Sequence, residues 1–164
     1  ALVVGGDGRY GNPRAIQLIA RMACAHGLKH LVLTTNGILS TPAASHLIRQ
    51  RQAIGGIILS ASHNPGGADG DFGVKVNGAN GGPAPESLTD AIYACTKQLD
   101  SYAISASEDI PLNEPGKHQR GPLTVEVLDG VHDYLQLMEQ LFDFDLIGQL
   151  LRSPWPMALS LIHI

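Results

Sequence analysis

The sequence has few charged residues, no long hydrophobic run and only two cysteines. Lys and Arg number 11 against 15 Asp and Glu, which gives a net charge of -4 and no electrostatic case for binding nucleic acid or an anionic membrane. The longest apolar runs, such as residues 57–59, are far too short to span a bilayer. The sequence does not begin with a basic segment followed by an apolar one, which is the pattern of a signal peptide. We therefore expect no nucleic-acid or membrane partner and a cytoplasmic location.

Cys24 and Cys95 lie far apart in the chain and match no metal-binding or redox spacing. Each falls on an apolar stripe of a predicted helix, which favours two buried free thiols in a reducing compartment. Hydrophobic residues make up 44% of the chain and charged residues 16%, a balance typical of a folded protein rather than a disordered one. The length of 164 residues suits one domain with its own core.

Predicted strands and helices alternate along the chain, which indicates an α/β layer fold. The predicted strands cover residues 2–4, 31–33, 55–59, 72–76 and 123–127. The predicted helices cover residues 13–26, a segment from Thr41, residues 85–99 and residues 131–142. Thr41 is the expected N-cap of the second helix, because Pro42 suits the first helical turn. The polar segment 101–122 leaves room for one short strand.

The spacing Gly6-x-Gly8-x-x-Gly11 after the first strand formally matches a dinucleotide-binding fingerprint. Such a site also needs an acidic residue at the end of the second strand to hold the ribose, and residues 34–36 are Thr-Thr-Asn. Pro13 removes one of the N–H groups that would face the pyrophosphate. We therefore interpret these glycines as a tight turn.

The segment 60–67, S-A-S-H-N-P-G-G, follows a buried strand, where α/β folds place their ligand loops. Gly66 and Gly67 let the backbone approach a phosphate closely. Ser62 offers a nucleophilic oxygen and His63 a group that titrates near neutral pH. A hydrolase pair is disfavoured, because adjacent side chains of an extended loop point apart and the G-x-S-x-G motif is absent. From these residues alone a structural turn and a phosphate site both remain open.

The loop resembles the phosphoserine loop T-A-S-H-N-P-G-G of the α-D-phosphohexomutase family, with Ser60 in place of Thr. Other segments are similar to that family in the same order along the chain. They are G-G-D-G-R-Y at 5–10, N-G-I-L-S-T-P-A at 36–43, G-D-F-G-V-K at 70–75 and N-G-G-P-A-P-E at 80–86. The second and last of these are most similar to the glucose-specific members, the phosphoglucomutases. The resemblance runs from Leu2 to about Leu151.

The resemblance implies a three-layer α/β domain, with a central mixed sheet and helices on both faces, over residues 1–151. The chain starts in a strand without a Met, and the family's T-S-G-L-R type segment would precede Ala1, so we expect an N-terminally truncated domain 1. Residues 152–164 depart from the family pattern, because Pro154 and Pro156 interrupt an expected basic-apolar strand. We expect an atypical tail there that is poorly ordered or packed non-natively, and we expect domains 2–4 to be absent.

The resemblance also implies a reaction between phosphosugars. Ser62 would carry a phosphoryl group, give it to glucose 1-phosphate and take back the other phosphate of glucose 1,6-bisphosphate, leaving glucose 6-phosphate. Mg²⁺ would bind to Ser62 through its phosphate. Lys75 matches a lysine that helps in proton transfer and charge stabilisation, and His63 matches a histidine that contacts the reacting groups. Such chemistry depends mainly on alignment and on stabilisation of charge.

The remaining residues expected in the substrate and phosphate loop are Arg9, Ser60, Asn64, Gly66 and Gly67. Structural alternatives stay open, because Arg9 could pair with an acid and Lys75 could be a solvated charge. Asp69 and Asp71 form a carboxylate pair that is more typical of a turn.

The family's metal loop, D-x-D-x-D-R, occurs nowhere in this chain. We therefore assign no complete metal site here and expect the chain to be inactive alone. The alternative functions are a phosphomannomutase, a dual-specificity hexomutase or a non-catalytic α/β binding domain.

Overall fold

The computed structural model describes residues 1–154 and residue 158. Its strands are β1 Leu2–Gly6, β2 His30–Thr34, β3 Gly55–Leu59, β4 Val74–Gly78, β5 Gly116–Arg120 and β6 Leu123–Leu128. They form one six-stranded sheet in the order β4-β3-β1-β2-β6-β5. The four inner strands are parallel, and β4 and β5 are antiparallel edge strands. The predicted mixed sheet is confirmed, whereas the prediction for the tail falls almost entirely outside the described residues.

The helices are α1 Asn12–Ala25, α2 Thr41–Gln50, α3 Glu86–Thr96, α4 His132–Leu141 and α5 Phe144–Leu151, with a short 3-10 turn at Thr35–Gly37. The buried side chains of α1 recur every fourth residue, at Ile16, Ala20 and Cys24. This spacing places them on one helical face. Pro13 lies in the first turn of α1, where its missing N–H costs nothing.

Helices cover both faces of the sheet, as predicted. The α1 face has a core that includes Val4, Ile16, Ala20, Leu31, Leu33, Leu59, Leu123, Val125 and Val127. The α2 face has a core that includes Val3, Val32, Ala43, Ala44, Leu47, Ile48 and Ile58. Successive strand residues such as Val3 and Val4 point to opposite faces. β1, β2 and β3 are therefore largely buried on both faces, whereas β6 alternates buried apolar residues with the half-buried Thr124 and Glu126.

Three of the predicted boundaries are wrong. The N-cap of α2 is Ser40 rather than Thr41, because Ser40 has an extended backbone and its Oγ accepts a hydrogen bond from the Ala43 N–H at 3.4 Å. Strand β4 covers Val74–Gly78 rather than 72–76, because it pairs residue for residue with β3. Helix α3 ends at Thr96 rather than at residue 99.

The last predicted helix, residues 131–142, corresponds to α4, and α5 is a further helix that was not predicted. Phe142 has extended backbone angles, φ -128° and ψ 142°, which end α4. Asp143 then starts α5, because its Oδ1 accepts a hydrogen bond from the Leu146 N–H at 2.8 Å.

The prediction of two buried thiols is half right. Cys24 is buried, whereas Cys95 is exposed. Helix α3 carries no buried residue in the part of the chain that the structure describes. The apolar stripe on which the prediction for Cys95 rested therefore faces outward.

The irregular segment between α3 and β5 is tied to α1. The side-chain amide of Gln17 accepts a hydrogen bond from the Ile110 N–H and donates one to the Ile110 carbonyl, both at 2.8 Å. Arg21 forms a salt bridge with Asp109 at 2.6 Å. The Ile110 side chain is only 3% exposed and belongs to the α1 core. A segment that is polar in sequence thus contributes a core residue.

We expect the Ile110→Ala substitution to lower the free energy of unfolding by about 2–5 kcal/mol, because it leaves a cavity in the α1 core. The matched control is Ile104→Ala in the same segment, since Ile104 is 44% exposed and its removal should cost less than about 0.5 kcal/mol. Urea unfolding of both variants measures the difference. Equal losses for the two variants would show that the segment is not part of the core.

Candidate active site

The site lies where the carboxyl ends of β1 and β3 meet. Asp7 follows β1, and its N–H donates a hydrogen bond to the Leu59 carbonyl at 3.1 Å. Ser60 follows β3, and its N–H donates to the Gly73 carbonyl at 2.9 Å. Because β1 and β3 are parallel neighbours, the turn after β1, the loop after β3 and the entry to β4 share one edge of the sheet. α/β sheets bind ligands at this kind of edge.

Ser62 lies in a tight turn rather than in an extended loop, which corrects the sequence prediction. Its φ is 55°, a left-handed conformation that is uncommon outside glycine. Its N–H donates a hydrogen bond to Ser60 Oγ at 3.1 Å. The Asn64 N–H donates to the Ala61 carbonyl at 3.1 Å and closes the turn. The surrounding hydrogen bonds thus hold Ser62 in a sparsely populated conformation.

Lys75 reaches the Ser62 hydroxyl. Its Nζ donates a hydrogen bond to Ser62 Oγ at 2.7 Å. Lys75 lies on edge strand β4 opposite Ile58, which brings its side chain alongside the loop that follows β3. Both side chains are exposed, so the cation and the hydroxyl are together accessible from solvent.

Arg9 pairs with an acid, as one sequence alternative had it, and also contacts the serine loop. Its Nη2 lies 2.9 Å from the Asp7 carboxylate, and its side chain is only 8% exposed. Nη1 donates a hydrogen bond to the Asp71 carbonyl, and Nη2 donates one to the Ser62 carbonyl at 3.4 Å. Arg9 therefore joins the turn after β1 to both sides of the loop.

The other predicted loop residues lie around this centre. Gly66 faces Arg9, since an added Cβ would lie 4.0 Å from the Arg9 Cβ, and Gly67 has φ 115°, which side chains rarely adopt. His63 and Asn64 are exposed. Within the described residues, neither side chain takes part in a hydrogen bond that anchors the loop. The loop therefore presents backbone and polar side chains to solvent.

Sequence reasoning missed Asp7. Burial of its carboxyl raises the pKa, but hydrogen bonds from the Arg9 side chain, the Ser60 side chain and the Arg9 N–H, with the charge of Arg9, outweigh it. The pKa of Asp7 therefore lies below its ordinary value of 3.8. A D-x-R spacing in a glycine turn was the available signal, but it does not reveal which loop the arginine contacts.

The described residues contain no group of three or more His, Cys, Asp or Glu side chains that could hold a metal ion. Ser62 could contribute an oxygen only through a phosphate. The residues present therefore do not make up a Mg²⁺ site by themselves. Among the described helices, none has the length and hydropathy to cross a membrane.

Residues 1–103 match the family described as phosphoglucomutase/phosphomannomutase, alpha/beta/alpha domain I. The chain belongs to this family. Family members that resemble it include a phosphoglucomutase of Aspergillus fumigatus, 54% identical over 152 residues that cover 93% of this chain and 27% of that protein. Human phosphoglucomutase-1 is 51% identical over 159 residues, which cover 93% of this chain and 28% of the human protein.

A crystal structure of pp63/parafusin from Paramecium, described as a phosphoglucomutase in an open form, has the same fold. It matches with a TM-score of 0.84 and 46% identity, over 89% of this chain and 28% of that one. The chain thus spans about a quarter of the length of the relatives it matches. The family and the α/β fold expected from the serine loop are both confirmed.

The lowered pKa of Asp7 predicts a pH-dependent contribution to stability. A carboxyl whose pKa is depressed by folding stabilises the folded state above its unfolded pKa, and this contribution is lost as the pH falls through the folded pKa. We expect Asp7→Asn to lower the free energy of unfolding by at most about 1 kcal/mol at neutral pH, because the group is partly solvated. Below pH 3.8 the difference between the unfolding free energies of the variant and the wild type should shrink and vanish.

Urea unfolding of both proteins from neutral to acidic pH measures this difference. A difference that is constant with pH, or that grows in acid, would contradict the prediction.

Proposed function

We propose that this chain is domain I of a phosphoglucomutase, which interconverts glucose 1-phosphate and glucose 6-phosphate through a phosphorylated Ser62. The 2.7 Å hydrogen bond from Lys75 Nζ to Ser62 Oγ is the observation that carries the proposal. The Lys75 ammonium thus contacts a serine hydroxyl at the edge of the sheet where this fold class binds ligands. The relatives named phosphoglucomutase, at 54% and 51% identity, support the choice of sugar.

In the first half-reaction a hydroxyl of glucose 1-phosphate attacks the phosphorus on Ser62. The bond from phosphorus to Oγ breaks, and Oγ keeps the electron pair and accepts a proton from the Lys75 ammonium. The proton released by the sugar hydroxyl restores that ammonium. In the second half-reaction the other phosphate of glucose 1,6-bisphosphate returns to Oγ, and the proton transfers run in reverse. Lys75 thus acts as general acid and then as general base.

The other loop residues have binding and positioning roles in this proposal. His63 and Asn64 are exposed beside Ser62 and are available to the phosphosugar. Gly66 and Gly67 expose backbone N–H groups to its phosphate. Ser60 is buried and anchors the Ser62 N–H, and it takes no phosphate itself.

The proposal includes Mg²⁺ and glucose 1,6-bisphosphate as cofactors. Mg²⁺, when bound, neutralises charge on the transferred phosphoryl group. Ser62, through its phosphate, would be this chain's contact with the ion. Because the described residues do not form a metal site, we assign no step to the ion, and its other ligands would come from elsewhere in the parent protein.

We propose residues 1–151 as domain I of the parent, residues 152–164 as an atypical tail, and domains 2–4 as intramolecular partners. Helix α5 supports this organisation because its large apolar side chains are uncovered. Their exposed fractions are 45% for Phe144, 61% for Leu146, 38% for Ile147, 49% for Leu150 and 60% for Leu151. Exposed apolar surface of this kind typically marks an interface. We propose a cytoplasmic location for the parent enzyme.

In the parent enzyme, Ser62→Ala should abolish turnover of glucose 1-phosphate, because no oxygen is left to accept the phosphoryl group. Stability should change by no more than about 1 kcal/mol, since one loop hydroxyl is lost. Incubation of the wild type with glucose 1,6-bisphosphate and Mg²⁺ should label one residue, found by mass spectrometry on the peptide that contains Ser62. Ser60→Thr should turn over normally, because it keeps the hydroxyl.

The matched control is Ser87→Ala, which removes an exposed hydroxyl from α3 and should leave both labelling and turnover unchanged. Label on Ser60 or His63, or turnover by Ser62→Ala, would overturn the assignment. Competition between glucose 1-phosphate and mannose 1-phosphate should favour glucose. A preference for mannose would replace the function by that of a phosphomannomutase.

Lys75→Met in the parent enzyme should lower kcat by roughly 10²- to 10⁴-fold, because it removes the proton donor of the Ser62 oxygen. The control is Lys97→Met. Lys97 is an exposed cation 4.5 Å from the Tyr93 ring, directly after α3 and outside the site. Stopped-flow and steady-state assays of both variants give the comparison. A kcat for Lys75→Met equal to that of Lys97→Met would exclude Lys75 from proton transfer.

A further inference from the structure

Arg9 makes an unusually complete set of contacts for a residue in a surface turn. Its Nε lies 3.1 Å from both carboxylate oxygens of Asp7, and its Nη2 lies 2.9 Å from Oδ2. The Arg9 N–H also donates to Asp7 Oδ1 at 3.2 Å. Such a fork aligned on a carboxylate fixes the plane of the guanidinium. Asp7 therefore determines the direction in which the other donors of Arg9 point.

Those other donors point at the backbone of the serine loop. Nη1 donates to the Asp71 carbonyl, and Nη2 donates to the Ser62 carbonyl at 3.4 Å. Lys75, which contacts the Ser62 side chain, follows four residues after Asp71 on the same segment. One guanidinium thus holds the backbone that carries the nucleophile and the backbone that leads to its proton donor.

Ser60 holds the other backbone polar group of Ser62. Its Oγ accepts the Ser62 N–H at 3.1 Å. The Ser62 carbonyl is thus held by Arg9, which Asp7 orients, and the Ser62 N–H is held by Ser60. Ser62 needs this support, because its φ of 55° is costly for a residue other than glycine.

We infer that Asp7 is a positioning residue for phosphoryl transfer, which orients Ser62 Oγ toward Lys75 through Arg9. This inference rests on the proposed function. The Asp7 side chain is 32% exposed, so the ion pair itself adds little stability, but it fixes the plane of the Arg9 guanidinium. Without the carboxylate acceptor, the guanidinium turns toward another acceptor. That turn moves the Ser62 carbonyl and with it the reacting oxygen.

The test is Asp7→Asn in the parent enzyme, which keeps the size of the side chain and removes its charge. We expect kcat to fall by roughly 10- to 100-fold, as expected when a reacting group is misplaced by about 1 Å. KM for glucose 1-phosphate should stay near the wild-type value, because Asp7 has no contact with substrate in this proposal. The rate at which glucose 1,6-bisphosphate labels Ser62, measured per folded molecule, should fall by the same factor as kcat.

Two further variants separate positioning from general stability. Arg9→Lys keeps the cation beside Asp7 but cannot reach two carbonyls at once, so its kcat should fall like that of Asp7→Asn, and it decides the matter if Asp7→Asn does not fold. The double variant Asp7→Asn/Arg9→Lys should lose no more activity than either single variant, because both act through one contact. The matched control is Asp109→Asn, which breaks the Arg21–Asp109 salt bridge of 2.6 Å outside the site and should keep the wild-type kcat.

The outcomes distinguish this inference from the proposed function. A wild-type parent that is never labelled on Ser62 overturns the proposed function and the positioning role together. A labelled, active wild type with an Asp7→Asn variant of unchanged kcat overturns the positioning role alone. The positioning role is also overturned if the losses of kcat add up in the double variant, or if Asp109→Asn loses as much kcat as Asp7→Asn.

Discussion

The close approach of β1, β3 and α1 around Gly6 is the constraint on which the arrangement of the site depends. A Cβ at Gly6 would collide with the Leu59 carbonyl oxygen and with Asn12 Oδ1. Asn12 is fully buried, and its Nδ2 donates a hydrogen bond to the Gly37 carbonyl at 3.2 Å. Because no side chain separates these backbones, the turn after β1 can lie directly against the loop after β3. Asp7 and Ser60 are neighbours for this reason.

A second close contact brings Lys75 to the serine loop. The Ser60 N–H hydrogen-bonds the Gly73 carbonyl at 2.9 Å, and a Cβ at Gly73 would collide with the Ser60 carbonyl oxygen. This contact continues the antiparallel pairing of β3 and β4, in which Ile58 lies opposite Lys75. A strand that returns antiparallel to β3 brings Lys75 back beside the loop that β3 has just entered. If β4 ran parallel to β3, the start of β4 with Lys75 would lie at the opposite end of the sheet from the serine loop.

The serine loop could be predicted from sequence because its residue types carry the chemistry directly. A hydroxyl, a histidine and two glycines after a buried strand are compatible with a phosphate loop or a structural turn, and the resemblance to the family motif favours the phosphate loop. Asp7 could not be predicted in the same way. Its inferred role depends on the orientation of Arg9, and only the packing of two loops from distant parts of the chain shows that Arg9 reaches the Ser62 carbonyl. Cys95 was misplaced for a related reason, because helical periodicity identifies an apolar face but does not say what covers it.

The sequence by itself determined the alternation of most strands and helices and the family, because these follow from local periodicity and from a contiguous motif. The tertiary structure alone decided which side chains act together. Ser62 and Lys75 are separated by 13 positions and Arg9 and Ser62 by 53, and no local pattern encodes such contacts. They depend on strand order, on antiparallel pairing at one edge and on glycines that admit a second backbone. These are properties of the packed sheet, in which residues far apart in the chain share one edge.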